Sequence, residues 1–142
     1  SPSDAPGEYV NATVVGNLSM SVTGSFYTMV PHNFPATFDF TIQVSVNNTR
    51  HTSIDDFQVV KVTMFYEDAT PVYTFGVVPD SAFTIAADSI WVQEFQNDRD
   101  MVSIPSEFLW APQTFARALV SFDNGTEAIL TTPLTSFGHA IE

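Results

Sequence analysis

The stretch Ala36–Val46, ATFDFTIQVSV, decides the fold. Ala36, Phe38, Phe40, Ile42, Val44 and Val46 are apolar, and Thr37, Asp39, Thr41, Gln43 and Ser45 between them are polar. Side chains on an extended chain point alternately to opposite faces, so this is a β-strand with one dry and one wet face. All of the apolar positions but Ala36 are aromatic or β-branched, which suits a pleated, half-buried surface.

Upstream, a second stripe of the same period runs through Val10, Ala12, Val14, Gly16, Leu18, Met20, Val22, Gly24 and Phe26. A single strand of that length is unusual, since about five or six residues is typical. Gly16-Asn17 is a two-residue turn candidate, giving hairpin arms near Tyr9–Val15 and Leu18–Phe26, with a long edge strand bent at Gly16 as the rival. Ser1–Glu8 (SPSDAPGE) is expected to be a flexible leader. The chain opens at Ser1 without Met, as expected after signal removal or trimming.

Downstream, Met29–Pro35 reads as a loop, and Asn47–Asp56 as a polar connector. Phe57–Glu67 is a strand whose apolar phase slips at Val59-Val60, the sign of a bulge, with Val60, Val62, Met64 and Tyr66 then sharing one face. Short strands follow at Val72–Val78, Ser89–Phe95 and Met101–Ile104, with Ala82–Asp88 a strand or helical turn. Phe115–Phe122 and Glu127–Leu134 flank Asp123-Asn124-Gly125-Thr126, where Asn-Gly is a strong hairpin signal. Sustained helical periodicity is missing. The expected fold is all-β: a two-sheet antiparallel β-sandwich of seven to nine strands, immunoglobulin-like first and jelly-roll second. Residues 9–135 form a single domain, and 136–142 a C-terminal tail.

Composition narrows the function. Four Lys and Arg stand against 16 Asp and Glu, for a formal net charge of −12. That argues against nucleic acid, where cations neutralise phosphates, and against anionic membrane surfaces. Without cysteine, disulfides, thiolate metal sites and cysteine catalysis are excluded. No apolar run reaches the roughly 18 residues of a membrane span.

Asn-X-Ser/Thr sequons at Asn11, Asn17, Asn47 and Asn124 fall on wet-face or turn positions, as glycosylation requires. They point to an extracellular or cell-surface protein. His32, His51 and His139 stand far apart in sequence, and no nucleophile elbow or phosphate loop is present, so an enzyme is not expected. Calcium is the one cofactor candidate, through the carboxylates and amide of Asp55, Asp56, Asn97, Asp98 and Asp100. Trp91 and Phe95 form one phase of SIWVQEF. The larger pair is expected to face the core; if Ile90 and Val92 turn inward instead, Trp91, Phe95 and Trp110 would form an outer stacking platform for a carbohydrate. Lys61 reads as an edge-protecting charge on a wet face.

Few charges, glycan sites and no catalytic set suggest an extracellular structural subunit of a pilus-like filament or surface layer. A leader followed by an amphipathic stripe is what β-strand addition uses, so Val10, Ala12, Val14, Leu18, Met20 and Val22 are the candidate strand-donation residues of a homopolymer. The similarity to strand-donating pilins is one of architecture. The alternative is a secreted carbohydrate- or protein-binding sandwich module.

Overall fold

The computed structural model describes residues 11–16, 18–30, 37–98, 113–132, 134 and 138–141, with side-chain detail for 18–22, 41–98, 113–132 and 134. Among them every regular element is a strand. In chain order these are β1 (Asn11–Val15), β2 (Leu18–Val30), β3 (Thr37–Asn48), β4 (Ile54–Tyr66), β5 (Pro71–Phe75) and β6 (Val77–Val78). They continue with β7 (Phe83–Ile85), β8 (Ser89–Asn97), β9 (Thr114–Phe122), β10 (Thr126–Thr131) and β11 (Gly138–Ile141). The strand expected at Met101–Ile104 lies outside the described residues.

Two sheets result. The first is ordered β1-β2-β3-β8-β6, with β11 also on β2; the second is ordered β10-β9-β4-β5, with β7 also on β4. The strands are more numerous than expected, because the chain changes sheet within stretches that read as one element. Val72–Val78 is such a case: β5 pairs with β4 in one sheet, and β6 pairs with β8 in the other. The pairing is antiparallel apart from β11, which runs parallel to β2 within the segment expected to be a tail.

The alternation of β3 sets the core. Ile42, Val44 and Val46 are buried while Gln43 and Asn47 are exposed, so the dry and wet faces fall where the sequence puts them. Leu18, Met20 and Val22 from β2 join them, and Val59, Val62, Met64, Ala116, Ala118 and Val120 close the core from the second sheet. Phe57, Phe75 and Phe95 are among its largest fully buried side chains.

The bulge in β4 is present, with the β4–β9 register shifting between Val59 and Lys61. It corrects the expected face, however. Val60 is the extra residue and is exposed, while Val59 before it and Val62 and Met64 after it are buried. Lys61 is exposed, as expected of a wet-face residue; it pairs with Leu119 of β9 on one side, while on the other side it falls between the stretch of β4 paired with β7 (Ile54–Phe57) and the stretch paired with β5 (Val62–Phe65).

One end of the sandwich is tied by a polar cluster. Asn48, only 1% exposed, donates from Nδ2 to the carbonyls of Thr52 (3.0 Å) and Ala86 (3.1 Å), and more weakly to that of Ile85 (3.4 Å). Its Oδ1 accepts the Arg50 N–H at 3.0 Å. Arg50 in turn donates to the Ser53 carbonyl at 2.8 Å and to Asp123 Oδ2 at 2.7 Å. The β9–β10 turn is thereby fastened to the loop after β3, and Asp55 and Asp123 add reciprocal bonds across it.

Candidate assembly edge

The hairpin of β1 and β2 forms within the chain. Val15 pairs with Leu18, Val14 with Ser19, Thr13 with Met20, Ala12 with Ser21 and Asn11 with Val22. Gly16 sits in the connecting turn at φ +58°, a left-handed conformation that glycine adopts without a Cβ penalty.

That loop length has a consequence for the stripe. In a two-residue hairpin, odd positions of one arm face even positions of the other. Directly opposed residues share a face of the sheet. The apolar positions Ala12 and Val14 therefore stand across from Ser21 and Ser19, and the polar position Thr13 stands across from Met20. Read in sequence, Val10 to Val22 is one continuous apolar phase. In the folded hairpin the turn divides it into two phases that do not match. Register is normally specified by hydrophobic pattern and turn geometry together; here the two disagree.

The β2 edge beyond this mismatch is only partly occupied. β3 pairs along one side of β2 from Leu18 to Met29. On the other side, β1 covers Leu18–Val22 and β11 covers Tyr27–Val30. Between them the edge at Thr23–Phe26 has no ladder partner among the described residues, a slot of ~13 Å at the usual rise per residue.

The candidate residues read from the sequence separate on this frame. Leu18, Met20 and Val22 are at most 2% exposed and belong to the core of their own chain, so they cannot leave without opening it. Ala12 and Val14 lie on β1; Val10 lies outside the described residues. Asn47 and Asn124 are exposed; Asn11 is on β1 with its side chain outside the described set, and Asn17 lies outside it altogether.

The larger pair of β8 faces the core, as expected, so Trp91 and Phe95 form no outer stacking platform. Phe95 is fully buried, and the half-buried Trp91 packs edge-on to Phe57 at 5.3 Å and against Phe83 at 5.1 Å. The exposed phase of β8 is instead Ile90 and Val92, at 71% and 51%. Larger apolar area favours the aromatic phase for the interior. Trp110 lies outside the described residues.

The acidic turns that are candidates for calcium lie at two separate places. Asp55 and Asp56 lie at the start of β4 beside the end of β3, whereas Asn97 ends β8 and Asp98 follows it at the far end, Ser89 of that strand pairing with Asn48 and Gln96 with Thr41. The two groups are separated by a strand length of ~25 Å. Among the described residues no three His, Cys, Asp or Glu side chains are placed to hold a metal ion; Asp100 lies outside them. Asp55 receives the Ser53 hydroxyl at 2.9 Å.

Asn48, Arg50 and Asp123 carry a fastening role that the sequence reading passed over. A signal was available: Asn48 is the next even position after Val46, a polar residue continuing the dry phase of β3.

No protein-family profile matches the chain, and no characterised protein matches it in sequence. Solved structures resemble it only at low identity and TM-scores under 0.5. One is a structural-genomics target at 7% identity and a TM-score of 0.48, covering 83% of both chains. Another is a Bordetella pertussis protein bearing the name ApaA, at 13% identity and a TM-score of 0.42, covering 94% of this chain and 98% of that one. A third is a family 123 glycoside hydrolase from Clostridium perfringens, at 9% identity and a TM-score of 0.39, covering 78% of this chain and 22% of the enzyme.

Proposed function

We propose that the chain is a non-enzymatic structural subunit of an extracellular, cell-surface assembly, a pilus-like filament or surface layer, that polymerises by β-strand addition. The observation that carries this is the phase mismatch of β1 on β2. Within one chain the two-residue turn imposes it. A β1 strand arriving from a neighbouring subunit has no such turn and can choose the register that aligns its apolar positions with the dry face of β2. With the resident β1 displaced, the acceptor edge runs from Leu18 to Phe26, a span of ~30 Å that a donated strand fills by ladder hydrogen bonds. Handing each β1 to the next subunit repeats head to tail and gives an open polymer. The donor is thus Val10, Ala12 and Val14 rather than the whole stripe.

We further infer an immunoglobulin-like order for the sandwich. The run β2-β3-β8-β6 against β10-β9-β4-β5 corresponds to the two sheets of that architecture, with β1 as an added strand on the edge. Exposed Asn47 and Asn124 are compatible with glycans on such a surface.

The test is removal of residues 1–15. Protein lacking them should stay folded by circular dichroism and remain monomeric by negative-stain microscopy under conditions where the full chain forms filaments. Filaments from the truncated chain would show that β1 is not the donor.

A further inference from the structure

The outer face of the second sheet carries a charge arrangement out of keeping with the rest of the molecule. The β4–β9 register places Lys61 opposite Leu119, Thr63 opposite Arg117 and Phe65 opposite Phe115, and β10 adds Ile129 beside Leu119. The Phe65 and Phe115 rings stack at 4.9 Å and 8°. Arg117 lays its guanidinium over both, 4.9 Å from the Phe65 centroid and 5.4 Å from that of Phe115. Lys61, Thr63, Phe65, Arg117, Leu119 and Ile129 line a shallow hollow.

Only four cations exist in this chain of net charge −12. Arg50 is committed to Asp123, and Arg99 lies outside the described residues. The other two are Lys61 and Arg117, set on adjacent strands, and neither is ion-paired among the described residues. With 16 carboxylates available, intramolecular pairing would be easy to arrange. Instead both cations share one face with an exposed Ile129 (54%), and Arg117 is held in place by aromatic stacking, which limits the freedom it loses on binding.

We infer that this face docks a carboxylate-bearing surface of a second copy of the chain. The inference rests on the proposal that the chain self-assembles, and supplies a second contact for it. Charge complementarity selects the occupant: a second copy carries 16 carboxylates against four cations, whereas this face, with two of those cations, repels its own image. The contact is therefore heterologous, of the kind that continues from subunit to subunit and does not close a two-fold dimer. It also brings cations to where anionic subunits must approach, and at physiological ionic strength the Debye length of about 8 Å makes such local pairing outweigh net charge. A sugar polymer is disfavoured because its rings stack on exposed aromatic faces, whereas Phe115 is only 7% exposed and Arg117 covers the pair.

Lys61 is the sole lysine of the chain, which makes the test specific. A mixture of full chains, half of them labelled with 15N, is treated with a zero-length carbodiimide that joins amines to carboxylates. The expected product is a mixed-isotope peptide pair linking Lys61 of one copy to an Asp or Glu of another. Arg117→Glu should lower its yield at least fivefold, with an unchanged circular dichroism spectrum; Lys61→Arg should abolish the link while preserving assembly. Filaments that form without any intermolecular Lys61 link would overturn the docking face and leave strand addition standing. Lys61-linked pairs that never lengthen into filaments would support the face and count against strand addition. Chains that stay monomeric at every concentration, yet lose retention on an immobilised uronate polysaccharide through Arg117→Glu, would replace the second copy with a glycan.

Discussion

Removing the Asn48 side chain is the sharpest test of how the two sheets are held in place. In Asn48→Ala, the Thr52 and Ala86 carbonyls lose donors at 3.0 and 3.1 Å, and the Arg50 N–H loses its acceptor at 3.0 Å. The third amide contact, to Ile85 at 3.4 Å, is too long to weigh equally. Three net hydrogen bonds at about 1 kcal/mol each give a loss of about 3 kcal/mol. Any carbonyl left dry adds to this, while water reaching the part-buried Thr52 and Ala86 sites offsets some of it. For a domain of this size that corresponds to a fall in thermal midpoint of roughly 6–12 °C. Urea denaturation at neutral pH, followed by tryptophan fluorescence, measures it as a shift in midpoint with little change in slope. Asn48→Asp should be at least as damaging, since a carboxylate presents no donor to the carbonyls. An Asn48→Ala protein within about 0.5 kcal/mol of wild type, the range of ordinary surface substitutions, would refute the role assigned to this residue.

Further outcomes follow from the same geometry. Phe57→Ala, at a site with no exposure and with Trp91 and Phe122 rings at 5.3 and 6.2 Å, should cost about 3–5 kcal/mol by chemical denaturation. The Arg50 side chain hydrogen-bonded to Asp123 holds that carboxyl below its ordinary pKa. Its contribution is therefore present above the unfolded value of about 3.9 and lost as pH falls through the lower folded value. Asp123→Asn should flatten that part of the stability-versus-pH curve, and an unchanged acid limb would argue against it. Inserting one residue after Gly16 should shift the β1 register and align the apolar phases; hydrogen exchange should then show stronger protection in β1, with slower filament growth. In a glycosylating secretory host, Thr49→Val and Thr126→Val should each remove one glycan from the intact mass, since Asn47 and Asn124 are exposed.

Much of the architecture was legible because burial imposes a period on the residues that experience it. The alternation from Thr41 to Val46 survives intact because β3 has a sheet neighbour on each side and one face on the core. Asp123, Asn124 and Gly125 all adopt positive φ, so the Asn-Gly hairpin was legible from backbone chemistry alone. The phase of β8 was legible through size and not through period: Ile90 and Val92 are as apolar in pattern as Trp91 and Phe95, and the larger pair goes inside. Change of sheet between Phe75 and Val77 leaves no trace in alternation, since both ends remain extended. The candidate edge at β1 and β2 was half legible. Its apolar stripe is visible in the sequence, whereas its division into two opposed phases depends on the parity of a turn.

The opposite directions of β1 and β11 on the one edge of β2 give the fold an uneven response to force. Suppose Asn11 and Ile141 are drawn apart along the axis of β2. Ile141, at the Val30 end, pulls β11 lengthwise, and the whole ladder from Tyr27 to Val30 resists at once. Asn11 stands at Val22 and is drawn back over its own strand, so the bonds from Asn11 to Val15 open one after another. A ladder that peels yields at a lower force than one that shears. Stretching the chain would therefore release β1 first and leave β11 seated, exposing the Leu18–Val22 edge of β2 while the rest of the sandwich stays closed.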